Sequence, residues 1–342
     1  MTVADVAPFV LPAANEATTT PERRGIARDG VRLLATDRVC GASRDATFRD
    51  LPTLLRAGDL LVANDSATLP AALIARHRDG TPFALHLSTR IADDLWITEP
   101  RTVLSLGDRV SPGERVSLAD GASATFLSPV DDAHPRLWYA ALALTQTSDA
   151  FLNEHGKPIR YAYLSEPLPL ADYQTVFARV AGSAEMPSAG RPFTTNVLDD
   201  LPAAGVALAT VTLHTGVSSP ERHERPYRER YAVPAATARA VNDAHRRGAR
   251  VIAIGTTVVR ALESSLVDGS AVASSGWTDL IVTPERGLAV IDGLITGFHE
   301  PAASHLDLLR AFIDASALDA AYAHAIAAGY LWHEFGDLHL LL

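Results

Sequence analysis

The texture of the chain changes near residue 150. From Gly58 to about Leu144 it runs in short segments of alternating apolar and polar residues. Leu60-Leu-Val62, Leu85-His-Leu87, Leu95-Trp-Ile97, Arg115-Val-Ser-Leu118, Ala124-Thr-Phe-Leu127 and Leu137-Trp-Tyr-Ala140 are strand-like, and Asp79-Gly80, Gly107-Asp108, Pro112-Gly113 and Asp120-Gly121 are turn dipeptides between them. A period of two with no helix-length segment predicts a small antiparallel barrel. Beyond residue 150 the pattern becomes strand followed by helix. The unbroken apolar runs Val206-Ala-Leu-Ala-Thr-Val-Thr-Leu213 and Val251-Ile-Ala-Ile254 suit strands covered on both faces of a parallel sheet. The fold class expected is therefore α/β: a larger α/β domain over 1–58 and 148–342, with a small antiparallel β-barrel domain inserted over 59–147. Two units also suit a chain of 342 residues, whose 47% hydrophobic content can fill two cores.

Within the larger unit several ends are marked. Residues 1–30 have no clear period and read as an extended arm. Pro234 opens a helical stretch whose last turn carries Arg246 and Arg247 and whose C′ residue is Gly248. Ser304 and Asp307 resemble a capping box ahead of Leu306, Leu309 and Phe312, which share a helical face. Tyr322, Ile326 and Tyr330 repeat at helical spacing and read as core.

Composition removes several classes of function. No run of eighteen apolar residues occurs, and the first thirty residues lack a signal-peptide h-region, so a soluble, cytoplasmic protein without membrane contact is expected. Cys40 is the sole cysteine, which excludes an internal disulfide and a thiolate-rich metal site; it is expected to be partly buried. His333-Glu334 with His339 has the wrong spacing for a metalloprotease helix, and no metal is expected. Ile254-Gly-Thr-Thr-Val258 has one glycine where a dinucleotide fingerprint needs three, and neither a P-loop nor a Gly-x-Ser-x-Gly elbow occurs. The net charge of −10 has the wrong sign for bulk attraction to nucleic acid. Any RNA contact must be local, with Arg222, Arg225, Arg228 and Arg230 as candidates, although the glutamates between them suit a solvated surface.

Three predicted strands end in polar residues: His214-Thr-Gly216, Gly255-Thr-Thr257 and Thr296-Gly-Phe-His299. In an open α/β sheet such ends face one crevice if the strands are parallel neighbours. Gly255 allows a sharp exit from its strand, and Thr256 and Thr257 then offer the free N–H groups of a helix start. Arg260 and Glu263 follow on one face, spaced to pair with each other or to hold the two ends of a zwitterion. His214 is placed either to act as a base or to bond a nearby carbonyl.

Longer strings give a specific resemblance. Phe48-Arg-Asp-Leu-Pro-Thr-Leu-Leu-Arg-Ala-Gly-Asp-Leu-Leu-Val-Ala-Asn-Asp65 with Leu69-Pro-Ala-Ala-Leu73 is similar to the N-terminal block of the S-adenosylmethionine:tRNA ribosyltransferase-isomerases of queuosine biosynthesis. Tyr173-Gln-Thr-Val-Phe-Ala178, Gly182-Ser183, Pro187-Ser-Ala-Gly190, Ile254 to Ser264, Leu294-Ile-Thr-Gly-Phe-His-Glu-Pro301 and Gly336-Asp337 resemble further blocks, in family order. The chain differs at polar motif positions, with Pro192 in place of a histidine and Ala67 in place of an arginine. The resemblance implies an α/β domain with an inserted barrel. It implies a transferase-isomerase that takes S-adenosylmethionine as co-substrate, needs no metal, and moves the ribosyl group onto the aminomethyl group of a 7-deazaguanine in tRNA. On this reading Gly255, Thr256, Thr257, Arg260 and Glu263 contact the donor, His214 is the first candidate base, and Thr194 and His299 line the pocket. Two alternatives stay open: a diverged paralogue that gives the same donor a small-molecule acceptor, and a catalytically silent protein that binds the nucleoside or RNA.

Overall fold

A computed structural model describes residues 9–101, 110–218, 224, 226–301 and 303–342. Its centre is a nine-stranded mixed sheet. Ala207–Leu213, Leu60–Asn64, Val251–Ile254 and Gly293–Gly297 lie side by side and parallel in that order, so their carboxyl ends share one edge. Glu229–Val233 and Ser274–Thr278 extend the sheet antiparallel at one side, and Leu338–Leu341, Arg32–Thr36 and Ser43–Thr47 extend it at the other.

The parallel strands are apolar on both sides because both faces are covered. Leu60, Val62, Val251 and Ala253 join a core with helices Ala235–Arg246, Thr256–Glu263 and Ala315–Ala327. Leu61, Ala63, Ile252 and Ile254 point the other way, into a core with Phe48, Phe193 and helix Thr195–Ala203. This corrects one expectation: Leu60-Leu-Val62, assigned to the barrel with the insert beginning at residue 59, is the middle strand of the sheet. Its five residues are all buried, as a two-sided strand requires and an alternating barrel strand does not.

The barrel itself is closed, with six strands ordered Trp138–Ala143, Leu95–Arg101, Pro82–Arg90, Ala72–Arg76, Arg115–Ser117 and Ser123–Pro129. All its pairings are antiparallel, and it encloses Leu85, Trp96, Phe126 and Leu137. Gly80, Gly113 and Gly121 make its turns with positive φ, and Asp120 shares that conformation. The turn expected at Gly107-Asp108 lies outside the described residues.

Smaller expectations meet mixed outcomes. The helix from Ala235 ends at Arg246, with Gly248 in the left-handed region at φ 69°. The capping box at Ser304 does not form: Ser304 has helical dihedrals and caps nothing, while Asp307 pairs with Arg310 at 2.9 Å. Cys40 is exposed, because it lies in the tight turn between Arg32–Thr36 and Ser43–Thr47 rather than under either core. No helix among the described residues is long and apolar enough to cross a membrane.

Candidate active site

The three polar strand ends open onto one cavity of about 670 Å³, whose wall includes Thr215, Gly216, Gly255, Thr256, Thr257 and His299. Asn64, at the end of the strand between them, locks their spacing. Its Nδ2 donates to the Leu213 carbonyl at 2.8 Å and to Thr257 Oγ1 at 3.2 Å, and its Oδ1 accepts from the Leu213 and Ser66 amides. Gly255 leaves its strand at φ 94°, a conformation that a side chain would strain, and helix Thr256–Glu263 starts at once. The amides of that first turn have no side-chain cap.

Arg260 lines the cavity, yet its guanidinium is already committed. It pairs with Glu229 and donates to the carbonyls of Leu280, Tyr227 and Thr278 at 3.0–3.3 Å. Glu229 in turn accepts the Gly216 amide at 2.9 Å, so this pair fixes the turn after His214 to the helix. Glu263 does not meet Arg260. It faces the opposite way, pairing with Arg286 at 2.8 Å and accepting the amides of Ala289 and Val290.

His214 and Thr194 are not among the residues lining the cavity. His214 Nδ1 lies 2.7 Å from Ser66 Oγ, and its ring packs so closely on Gly182 that a Cβ there would come within 2.5 Å. Burial, with help from Arg230, holds this imidazole at a pKa of about 4. Thr194 caps helix Thr195–Ala203 and donates to Asp29 at 2.8 Å. His299 does face the cavity, 2.9 Å from Thr296 Oγ1 and stacked on His305 at 4.6 Å; burial keeps it uncharged, its pKa well below the usual histidine value.

Arg136, Tyr161, Tyr163 and Glu185, to which the sequence reading assigns no role, line the cavity as well, and so do His333 and Glu334, considered there only for metal binding. Arg136, a barrel residue, reaches Glu99 at 2.7 Å and Glu224 at 2.9 Å. Tyr161, Tyr163 and His333 form a row of near-parallel rings, with centroids 5.9 and 3.8 Å apart. The Tyr161 hydroxyl donates to Glu185 and the Tyr163 hydroxyl to Glu334. Burial pushes both carboxyl groups up to about 7. Glu185 lies two residues after the quoted Gly182-Ser183 block and Glu334 two before Gly336-Asp337, but only the fold brings them to one wall.

The profile of a family described as "Queuosine biosynthesis protein" matches residues 6–341. The chain belongs to that family. As a member it is an enzyme, a transferase-isomerase. It is 36% identical over 329 residues to the S-adenosylmethionine:tRNA ribosyltransferase-isomerase of Heliobacterium modesticaldum, covering 92% of this chain and 94% of that protein. It is 37% identical over 312 residues to the protein of the same name from Acidiphilium cryptum, with 87% and 88% covered. A crystal structure of S-adenosylmethionine tRNA ribosyltransferase from Thermotoga maritima is similar with a TM-score of 0.56 and 27% identity, over 98% of this chain and 99% of that one. The α/β sheet with its closed barrel is thus the architecture of a family member.

Proposed function

We propose that this family member is an S-adenosylmethionine-dependent tRNA ribosyltransferase-isomerase. It would transfer the ribosyl group of the donor to a 7-aminomethyl-7-deazaguanine in tRNA and isomerise it, giving epoxyqueuosine and releasing adenine and methionine. The observation that carries this reading is the cavity where parallel strand ends meet the uncapped Thr256–Glu263 helix start, in a chain whose relatives of that name match along nearly their whole length. The amides of Thr256 and Thr257 suit the carboxylate or ribose hydroxyls of the donor, and the dipole end favours the negative group. Arg260 supports this placement as part of the wall, since its donors are already engaged. The reaction needs a base beside the sulfonium carbon and a site that keeps the nucleoside in place while its sugar rearranges.

Adenine released from S-adenosylmethionine in the presence of tRNA carrying the aminomethyl base, with a matching gain of mass on the RNA, is the expected result. Gly255→Val places a branched side chain at φ 94° and 3.4 Å from Ala189. It should weaken donor binding in calorimetry by about tenfold or more, near 1.4 kcal/mol. Adenine release without mass gain on tRNA would transfer the reading to a small-molecule acceptor, and no heat on adding the donor would remove it.

A further inference from the structure

The wall of the cavity carries five described glutamates, Glu185, Glu224, Glu229, Glu300 and Glu334, against two arginines, Arg136 and Arg260. Both arginines are taken, Arg136 by Glu99 and Glu224 and Arg260 by Glu229. Glu185 and Glu334 therefore have no arginine or lysine partner among the described residues, and each is met by a tyrosine hydroxyl instead. Enclosing a carboxylate without a cation opposes folding, and such groups concentrate where chemistry uses their altered basicity.

The two differ in how firmly they are held. Glu185 Oε1 accepts from the Tyr161 hydroxyl and from the Ser218 amide at 2.6 Å, and Oε2 accepts from the Ser218 hydroxyl. Its backbone carbonyl accepts from Thr215 Oγ1 at 2.6 Å, which ties it to the strand end at His214. An ionised carboxylate offers about four acceptor sites. Among the described residues, donors fill three of them and one on Oε2 has none. Among the described residues, Glu334 has only the Tyr163 hydroxyl as a side-chain donor. His214, the candidate base by motif, lies off this wall.

We propose that Glu185 is the general base of the reaction, an assignment that rests on the ribosyltransferase-isomerase reading. Its open Oε2 site takes the proton from the carbon next to the sulfonium. The C–H bond breaks, an O–H bond forms, and the electron pair stays on carbon beside the positive sulfur. The glycosidic C–N bond then breaks with its electron pair going to adenine, the ring oxygen shares a lone pair with the anomeric carbon left behind, and the proton passes from Glu185 to adenine, which leaves as the neutral base. Tyr161 and Ser218 are positioning residues that keep the carboxyl plane fixed while the proton moves. A carboxyl group pushed up to about 7 by burial is partly ionised at neutral pH and is a stronger base than an ordinary glutamate. Among the described residues, the charged groups that act on it are Glu99, which raises its pKa further, and Arg136, which lowers it.

The test compares the full-length parent with Glu185→Gln, Glu334→Gln and Tyr161→Phe, using S-adenosylmethionine and tRNA bearing the aminomethyl base. Glu185→Gln keeps an oxygen that accepts from the Tyr161 hydroxyl and the Ser218 amide, and its NH2 donates to Ser218 Oγ in place of the lost Oε2 acceptor. It should slow single-turnover adenine release by roughly 100-fold or more while donor affinity stays within about threefold. Glu334→Gln should keep the rate within about tenfold. Tyr161→Phe removes a donor to the ionised carboxylate and loosens its hold, so the rising limb of its pH–rate profile should move to higher pH and the plateau rate should fall by about threefold to tenfold; the moved limb reads Glu185 in a variant that changes one hydroxyl. A parent active toward the RNA with Glu185→Gln equally active, or an unmoved limb in Tyr161→Phe, overturns the base alone. A parent inert toward the donor overturns both the base and the reading beneath it.

Discussion

Arg260 is 7% exposed, and its carboxylate partner Glu229 is 8% exposed. Removing one member of such a pair leaves a buried charge without compensation. Arg260→Ala should therefore lower unfolding stability by about 3–5 kcal/mol, and adding Glu229→Gln should recover part of it, both read from urea midpoints. A single variant as stable as the parent would return Arg260 to the role of a free ligand-binding fork. Glu334 makes the opposite case. Burial pushes its carboxyl up to about 7 from the ordinary glutamate value of 4.5, so the folded protein holds more protons than the unfolded chain between those values. Stability from this group is then lost as pH rises from 4.5 through about 7. Glu334→Gln should be on the order of 1–3 kcal/mol more stable than the parent at pH 8 and close to it at pH 4.5. Melting curves at the two values decide it, and an advantage that does not grow with pH would count against a buried, unpaired carboxyl.

At the scale of elements, the turn 331–337 carries His333 and Glu334 to the cavity, and Asp337 fastens it. The Asp337 carboxylate accepts the Arg32 amide at 2.7 Å and the Leu331 amide at 2.8 Å, which joins the turn to strand Arg32–Thr36. Gly336 permits this, because a Cβ there would come within 2.5 Å of the Trp332 carbonyl oxygen, a backbone atom that cannot move aside alone. Gly336→Ala should lower stability by about 2–4 kcal/mol and should raise hydrogen exchange over 331–337 before other regions. Uniform exchange across the chain would show instead that the turn is not an independent element. The Gly-Asp pair was visible in the sequence as a family motif, but its purpose, holding a glutamate against Tyr163, depends on contacts between residues 171 positions apart and had no local signal. The same limit explains Arg260 and Glu263. Their i, i+3 spacing is compatible with pairing, and only the surrounding strands decide that one turns to Glu229 and the other to Arg286. Barrel strands and the parallel core are legible because period and burial agree there; Leu60-Leu-Val62 fits barrel and sheet alike, because a short apolar run suits either setting.

For the molecule as a whole, the charge of −10 sets the problem of how RNA would approach. Alternation along Glu229–Val233 divides the arginine-dense stretch by face: Glu229 turns inward to Arg260, while Arg228 and Arg230 are exposed, Arg228 lying over the Trp277 ring at 5.3 Å. Glu229 and Tyr227 line the cavity, so these two arginines flank its wall on the outer side. Arg222 and Arg225 lie outside the described residues. A local positive patch beside the cavity would offset the overall repulsion within about a Debye length, roughly 8 Å at physiological salt. Affinity for tRNA bearing the aminomethyl base should then fall steeply with salt, with a slope near 0.7–0.9 per neutralised phosphate. Reversing both charges, Arg228→Glu with Arg230→Glu, should weaken binding and reduce the slope of log affinity against log salt by about 1–2, leaving calorimetric affinity for S-adenosylmethionine unchanged. An unaltered slope would move the RNA contact to another face of the protein, and a loss of donor binding would show that the two arginines support the cavity wall instead.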